Sequence, residues 1–99
     1  MALDALEIET PGAILITVKR SRSTVKSFLQ LWIRKLGGDE SGRTEDIQDR
    51  ICSSLQGTNR LMLIDEAHKL SIAALDVVRE IWDEVRIRIV MAATPCLYY

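Results

Sequence analysis

A parallel α/β fold, with about three strands flanked by helices, is what this 99-residue sequence predicts. Three observations carry the prediction. The stretch Leu61-Met62-Leu63-Ile64 is apolar at every position, which marks a strand buried on both faces, as in parallel sheets. Two more apolar, β-branched runs, 13–18 and 89–93, have the length and composition of strands. Between these runs, apolar residues recur at helical spacing. The resulting order is strand, two helices, strand, helix, strand, which reads as parallel strands joined by right-handed crossovers.

Taken in order, residues 3–9 read as one or two helical turns, closed by the breaker Thr10-Pro11-Gly12. The first strand, Ala-Ile-Leu-Ile-Thr-Val, follows and runs into a polar, basic loop, Lys19-Arg20-Ser21-Arg22. Ser23 or Thr24 offers an N-cap for a helix with Val25, Phe28, Leu29, Trp32 and Leu36 on one face, ended by Gly37-Gly38. After the loop 37–43, Thr44 is the expected cap of a second helix. Glu45 and Asp46 sit in its first turn, where a helix dipole favours them. Its core face is Ile47, Ile51 and Leu55, with Cys52 alongside as a small hydrophobe. Gly57-Thr58-Asn59 ends it, and the central strand begins at Arg60 or Leu61. Ser71 is the next expected N-cap, followed by a stripe of Ile72, Leu75, Val78, Trp82 and Val85. The third strand stops at Thr94-Pro95.

Composition narrows the function classes. A formal net charge of −1 argues against a chain that coats nucleic acid or anionic membrane over its whole surface, so any such contact comes from a local patch. Lys19, Arg20, Arg22 and Lys26 form the one basic cluster, which reads either as a solvated loop or as a DNA-phosphate contact. Cys52 and Cys96 lack CxxC spacing and have a single histidine to join them. That supports neither a zinc site nor a disulfide framework, and it fits a reducing cytoplasm. The N-terminus lacks a signal-peptide pattern, and no apolar run approaches the roughly 20 residues of a membrane span.

The central strand ends abruptly in Asp65-Glu66, and a carboxylate beside a dry core is costly to leave unpaired. In nucleotide hydrolases an Asp at that place holds magnesium through water, and the next Glu polarises the attacking water. The bland alternative is an acidic helix entry. A phosphate cradle has to accompany such a pair. Gly37-Gly38-Asp39-Glu40-Ser41-Gly42-Arg43-Thr44 matches the spacing G-x-x-x-x-G-[KR]-T. Arg43 stands where lysine belongs, Asp39 and Glu40 put two negative charges where phosphate oxygens would sit, and the preceding element is helical. The stretch therefore reads as a helix-to-helix loop.

Leu61-Met62-Leu63-Ile64-Asp65-Glu66-Ala67-His68-Lys69-Leu70 resembles the Walker B strand of AAA+ ATPases of the ORC/DEAH type. That group holds the Mu B-type and Tn7-like transposition ATPases and the ExeA-type secretion ATPases. Residues 72–85, 87–95 and 13–36 are similar to the family's helix after Walker B, its sensor strand, and its second strand with the following helix. The resemblance implies a three-layer P-loop NTPase-like core, ATP and magnesium as ligands, Asp65 for the metal and Glu66 for the hydrolytic water. It also implies Thr94 as the sensor of the γ-phosphate, a role to set beside a plain strand-end turn before Pro95. His68 reads as a relay of nucleotide state or as a hydrogen-bonded helix-entry residue. The resemblance puts the basic loop where ring or filament ATPases present residues to their central pore, which implies contact with DNA phosphates. A transposase or a full-length ATPase subunit is the implied partner.

Residues 1–99 then make a single partial AAA+ core, from the second strand through the sensor-one strand, with the P-loop unit and the lid absent. The edge of the strand at 89–93 is left unpaired and open to self-association. Such a chain is expected neither to bind ATP tightly nor to hydrolyse it. Two alternatives remain open: a superfamily-two DEAH helicase fragment, with Ala93-Thr94-Pro95 as its motif III, and a non-catalytic interaction module.

Overall fold

The structure, a computed structural model, describes residues 12–92. Strand β1 (Ile14–Thr17) leads through a 3-10 turn at Arg20–Arg22 into helix α1 (Val25–Lys35). Helix α2 (Thr44–Leu55), strand β2 (Leu61–Asp65), a 3-10 turn at Ala67–Lys69, helix α3 (Ile72–Val85) and strand β3 (Arg88–Met91) follow. The order expected from the apolar runs is the order found. The strands form one sheet, β1-β2-β3, parallel throughout, with Ile14 opposite Met62 and Met62 opposite Ile89.

Strand β2 is central, and all five of its residues are buried. This is why it tolerates no polar alternation: both faces of the strand are dry. Ile14, Ile16, Met62 and Ile64 share one face and join the apolar sides of all three helices in the main core. Leu61 and Leu63 point the other way, against Ala13, Leu15 and Ala92. Among the described residues, the helical layer lies on the Ile16–Ile64 face.

Local chemistry explains the helix ends. Gly37 takes a left-handed conformation (φ 80°), and its N–H donates to Arg34 O at 3.0 Å, while Gly38 N–H donates to Ile33 O at 2.9 Å. These two bonds close α1 in a Schellman motif, as the paired glycines suggested. Ser71 caps α3, its Oγ accepting Ala74 N–H at 3.1 Å. The cap of α2 differs from expectation. Arg43, not Thr44, occupies the N-cap position, and Asp46 Oδ2 accepts Arg43 N–H at 3.2 Å, so the acid in the first turn stabilises the entry that a threonine hydroxyl was expected to hold.

The buried stripe of α3 is a second correction. Ala74, Val78, Ile81 and Val85 face the core, whereas Ile72 is 80% exposed and Trp82 40% exposed. Two stripes of apolar residues overlap on this helix, and the one carrying the small Ala74 lets the helix approach the sheet closely. Helix α1 adds Ile33 to the expected Phe28, Leu29 and Trp32, while Val25 and Leu36 are only partly buried. The helical turns expected at 3–9 lie outside the described residues.

Candidate active site at the carboxyl ends of the strands

In an open parallel sheet the carboxyl ends of the strands share one rim, where loops diverge and ligands bind. Here that rim is stitched by backbone hydrogen bonds. Val18 N–H donates to Asp65 O (3.0 Å), Ala92 N–H to Ile64 O (2.9 Å), and Ala67 N–H to Ala92 O (2.8 Å). Ser71 N–H donates to Ser23 O (3.2 Å), which ties the loop after β1 to the start of α3. The ends of all three strands, and the acid pair between them, form one connected edge.

Asp65 is only 4% exposed and is the one buried charged side chain among the described residues. Its Oδ1 accepts the N–H of Glu66 at 2.9 Å. Glu66 itself sits in the left-handed region, at φ 60° and ψ 36°. A glutamate gains nothing from this conformation, which costs an L-residue about 1–2 kcal/mol. Strain of this kind is held only where the surroundings impose it, and it gathers at functional positions. The Glu66 carboxylate meets His68 Nε2 at 3.6 Å and Lys69 Nζ at 4.0 Å, so two flanking basic groups hold the second acid. His68 is thus a contact of Glu66 through its side chain.

Glu66→Gly is expected to leave the fold intact and to raise its stability by up to about 1 kcal/mol, because glycine adopts this conformation freely. Urea denaturation of the two proteins measures the difference. A loss above about 1 kcal/mol would show that the His68 and Lys69 contacts outweigh the backbone strain.

The other site residues fall around the same rim. Lys19 and Arg20 are exposed at the end of β1, in and beside the 3-10 turn that contains Arg22, and Lys26 is exposed in the first turn of α1. Thr17 is paired with Asp65 in register, which puts the basic loop and the acid pair on neighbouring strands. Thr94 lies outside the described residues.

A cavity of about 440 Å³ opens beside β1, lined by Leu15, Thr17, Lys19, Leu31, Arg34 and Lys35. Asp65 and Glu66 do not line it. The sequence reading missed Arg34 and Lys35 as companions of Lys19. The available signal was a pair of cations in the last turn of a helix that follows the strand.

The glycine-rich stretch 37–44 lies between α1 and α2 and is closed by its own bonds. Arg34 grips Glu40 through two hydrogen bonds of 2.7 and 2.9 Å, which raise the Arg34 pKa. Ser41 donates its N–H and its hydroxyl to Asp39 (2.9 and 2.8 Å), holding that carboxyl below the usual range. Arg50 bonds the carbonyls of Asp39 and Ser41. With its carbonyls turned to Arg50 and its acids held in place, this loop is a connector and not a phosphate cradle.

A parallel α/β sheet with helices between its strands and an acid pair at the central strand's carboxyl end falls in the P-loop NTPase-like class. A family model for the AAA domain matches residues 1–98, and the chain belongs to that family of ATPase domains. No curated protein matches the chain.

Proposed function

We propose that this chain carries the acid-pair part of an AAA-type ATP-hydrolysis site, of the ORC/DEAH kind found in Mu B-type, Tn7-like and ExeA-type ATPases, and that it does not hydrolyse ATP alone. The supporting observation is Asp65, a carboxylate buried at the end of the central strand with a backbone N–H as its partner. Burial of an ion is costly unless it serves a bound cation or a hydrogen-bond network. Among the described residues no group of three or more metal-ligating side chains forms. Magnesium takes one or two carboxylates and keeps its waters beside the phosphates, so a single Asp such as Asp65 fits it. When bound with ATP, the ion supplies neutralising charge to the phosphate oxygens.

In this reading residues 1–99 form one core unit. Asp65 would hold the ion through water, and Glu66, the Walker B base, would accept a hydrogen bond from the hydrolytic water once its contacts with His68 and Lys69 loosen. Thr94 is the sensor residue.

The test is a chimera in which residues 12–92 replace the equivalent segment of an active AAA ATPase. The chimera is expected to hydrolyse ATP, and Glu66→Gln to lower its rate about 10²–10⁴-fold with nucleotide binding kept. A folded chimera whose rate ignores Glu66 would sink the proposal. The free chain is expected to show no tight, magnesium-dependent binding of a fluorescent ATP analogue.

The basic loop is the DNA contact of this reading, and a transposase or a full-length ATPase subunit is its protein partner in the cytoplasm. Reversing the charges of Lys19 and Arg20 is expected to weaken DNA binding and to reduce its log–log salt slope by about 2, at about 0.9 for each phosphate no longer neutralised. An unchanged slope would remove the loop from the interface. A second reading, a non-catalytic interaction module, is favoured by one observation: the cavity beside β1 is separate from the acid pair. Gel filtration of the free chain that responds to ATP would count against that module and equally against the inactivity proposed for the chain alone.

A further inference from the structure

The cavity beside β1 is built by a single strand-loop-helix unit. β1 supplies Leu15 and Thr17, the loop after it supplies Lys19 and Ser21, and the last turns of α1 supply Leu31, Arg34 and Lys35. None of the described residues that line it is acidic. Arg34 commits its charge to Glu40 through bonds of 2.7 and 2.9 Å, so that pair is close to neutral and stiffens the wall. Lys19 and Lys35 remain. Both are exposed, and among the described residues neither has an ion-pair partner. The mouth of the cavity is thus net positive, in a chain whose formal net charge is −1. Thr17 and Ser21 add hydroxyls, neutral donors that phosphate oxygens accept. At about 440 Å³ the cavity exceeds a lone inorganic anion, and Leu15 and Leu31 give it an apolar part. A phosphodiester with its sugars suits both features.

We propose that this cavity receives one backbone phosphate of bound DNA, held jointly by Lys19 and Lys35, so that the DNA contact runs from the basic loop onto the C-terminal end of α1. The inference rests on the reading of the basic loop as a DNA contact and adds Lys35, which lies outside that cluster. Lys19 belongs to both, since it lines the cavity and directly precedes the 3-10 turn at Arg20. A polymer with one charge per repeat meets the loop and the cavity at once, which a small anion does not. A helix C-terminus by itself repels an anion, because its last carbonyls carry partial negative charge. Here Gly37 and Gly38 donate their N–H groups to the carbonyls of Arg34 and Ile33, and Lys35 sets a full positive charge beside them.

The test is a double-mutant cycle on the full chain, read by fluorescence anisotropy of a labelled DNA duplex across a salt series. Lys19→Gln and Lys35→Gln, each alone, are expected to weaken binding roughly fivefold. The double variant is expected to weaken it by less than the product of the two, because the lysines share one partner. Its log–log salt slope is expected to fall by about 0.9, the value for one phosphate. Both positions are exposed, so circular dichroism is expected to report unchanged folding. Arg79→Gln removes the same charge from the exposed side of α3 and is expected to leave the slope unchanged. If Lys19→Gln weakens binding and Lys35→Gln does not, the cavity proposal fails while the basic loop keeps its role. If neither does, both fail. A slope lowered by about 1.8 in the double variant means two separate phosphates and overturns the shared site. An equal fall for Arg79→Gln reduces the effect to net charge and overturns it too. So does a polyglutamate peptide that displaces the duplex with the same dependence on Lys35, which would give the cavity to an acidic protein.

Discussion

Trp32→Ala is expected to cost about 3–5 kcal/mol, the range for truncating a fully buried aromatic residue. Trp32 has no exposed surface and is the largest buried side chain. It sits in the middle of α1, packs against Phe28 with ring centroids 5.7 Å apart, and belongs to the cluster that joins all three helices to the sheet. No small shift closes the space it leaves, because the sheet fixes one wall of the core. Total stabilities of domains are about 5–15 kcal/mol, so the variant approaches the edge of folding. Its indole N–H, however, has no hydrogen-bond partner among the described residues. Burying that donor unsatisfied costs about 1–3 kcal/mol. Trp32→Phe keeps most of the ring and removes the donor, so it is expected to cost less than half as much as the alanine variant. Urea denaturation followed by far-ultraviolet circular dichroism measures both. Equal losses would mean that the indole N–H is satisfied in solution.

The sheet was legible because each strand announces itself locally. Leu61 to Ile64 has no polar alternation, and only a strand with two dry faces asks for that. Asp65 was legible for the converse reason, as the point where an unbroken apolar run meets charge. The α3 stripe was not. Ile72 and Trp82 are large and regularly spaced, but so are Ala74, Val78, Ile81 and Val85, and periodicity alone does not choose between two stripes on one helix. The sheet chose, because a helix carrying Ala74 on its inner face seats closer than one carrying Trp82. Nor could the left-handed conformation of Glu66 be read, since glutamate gives no local signal for it as glycine or asparagine does. The cavity flanked by Lys19, Arg34 and Lys35 depends on a strand end meeting a helix end, a contact without sequence periodicity.

Cys52 is expected to make the fold lose stability at alkaline pH. Its side chain is 3% exposed on the core side of α2, and its pKa is pushed up to about 12 from an ordinary 9.0. Burial is the main cause. A hydrogen bond to the Glu84 carboxylate follows, then the negative charges of Glu84 and Asp49, all of which favour the neutral thiol. In the unfolded chain the thiol releases its proton near its ordinary pKa, whereas the native protein keeps it. Between about pH 9 and pH 12 the native state therefore binds more protons, and stability falls as pH rises through that window. Below it both states are protonated, and this group contributes no slope. Across the whole window the loss is at most about 4 kcal/mol. In a Cys96→Ser background, the urea midpoint is expected to decline across this range, and Cys52→Ala to flatten the decline while lowering stability modestly at neutral pH. Alkylation of Cys52 is expected to track unfolding, because the native thiol is both protonated and covered. If Cys52→Ala loses stability as steeply as its parent above pH 9, the alkaline loss belongs to other groups.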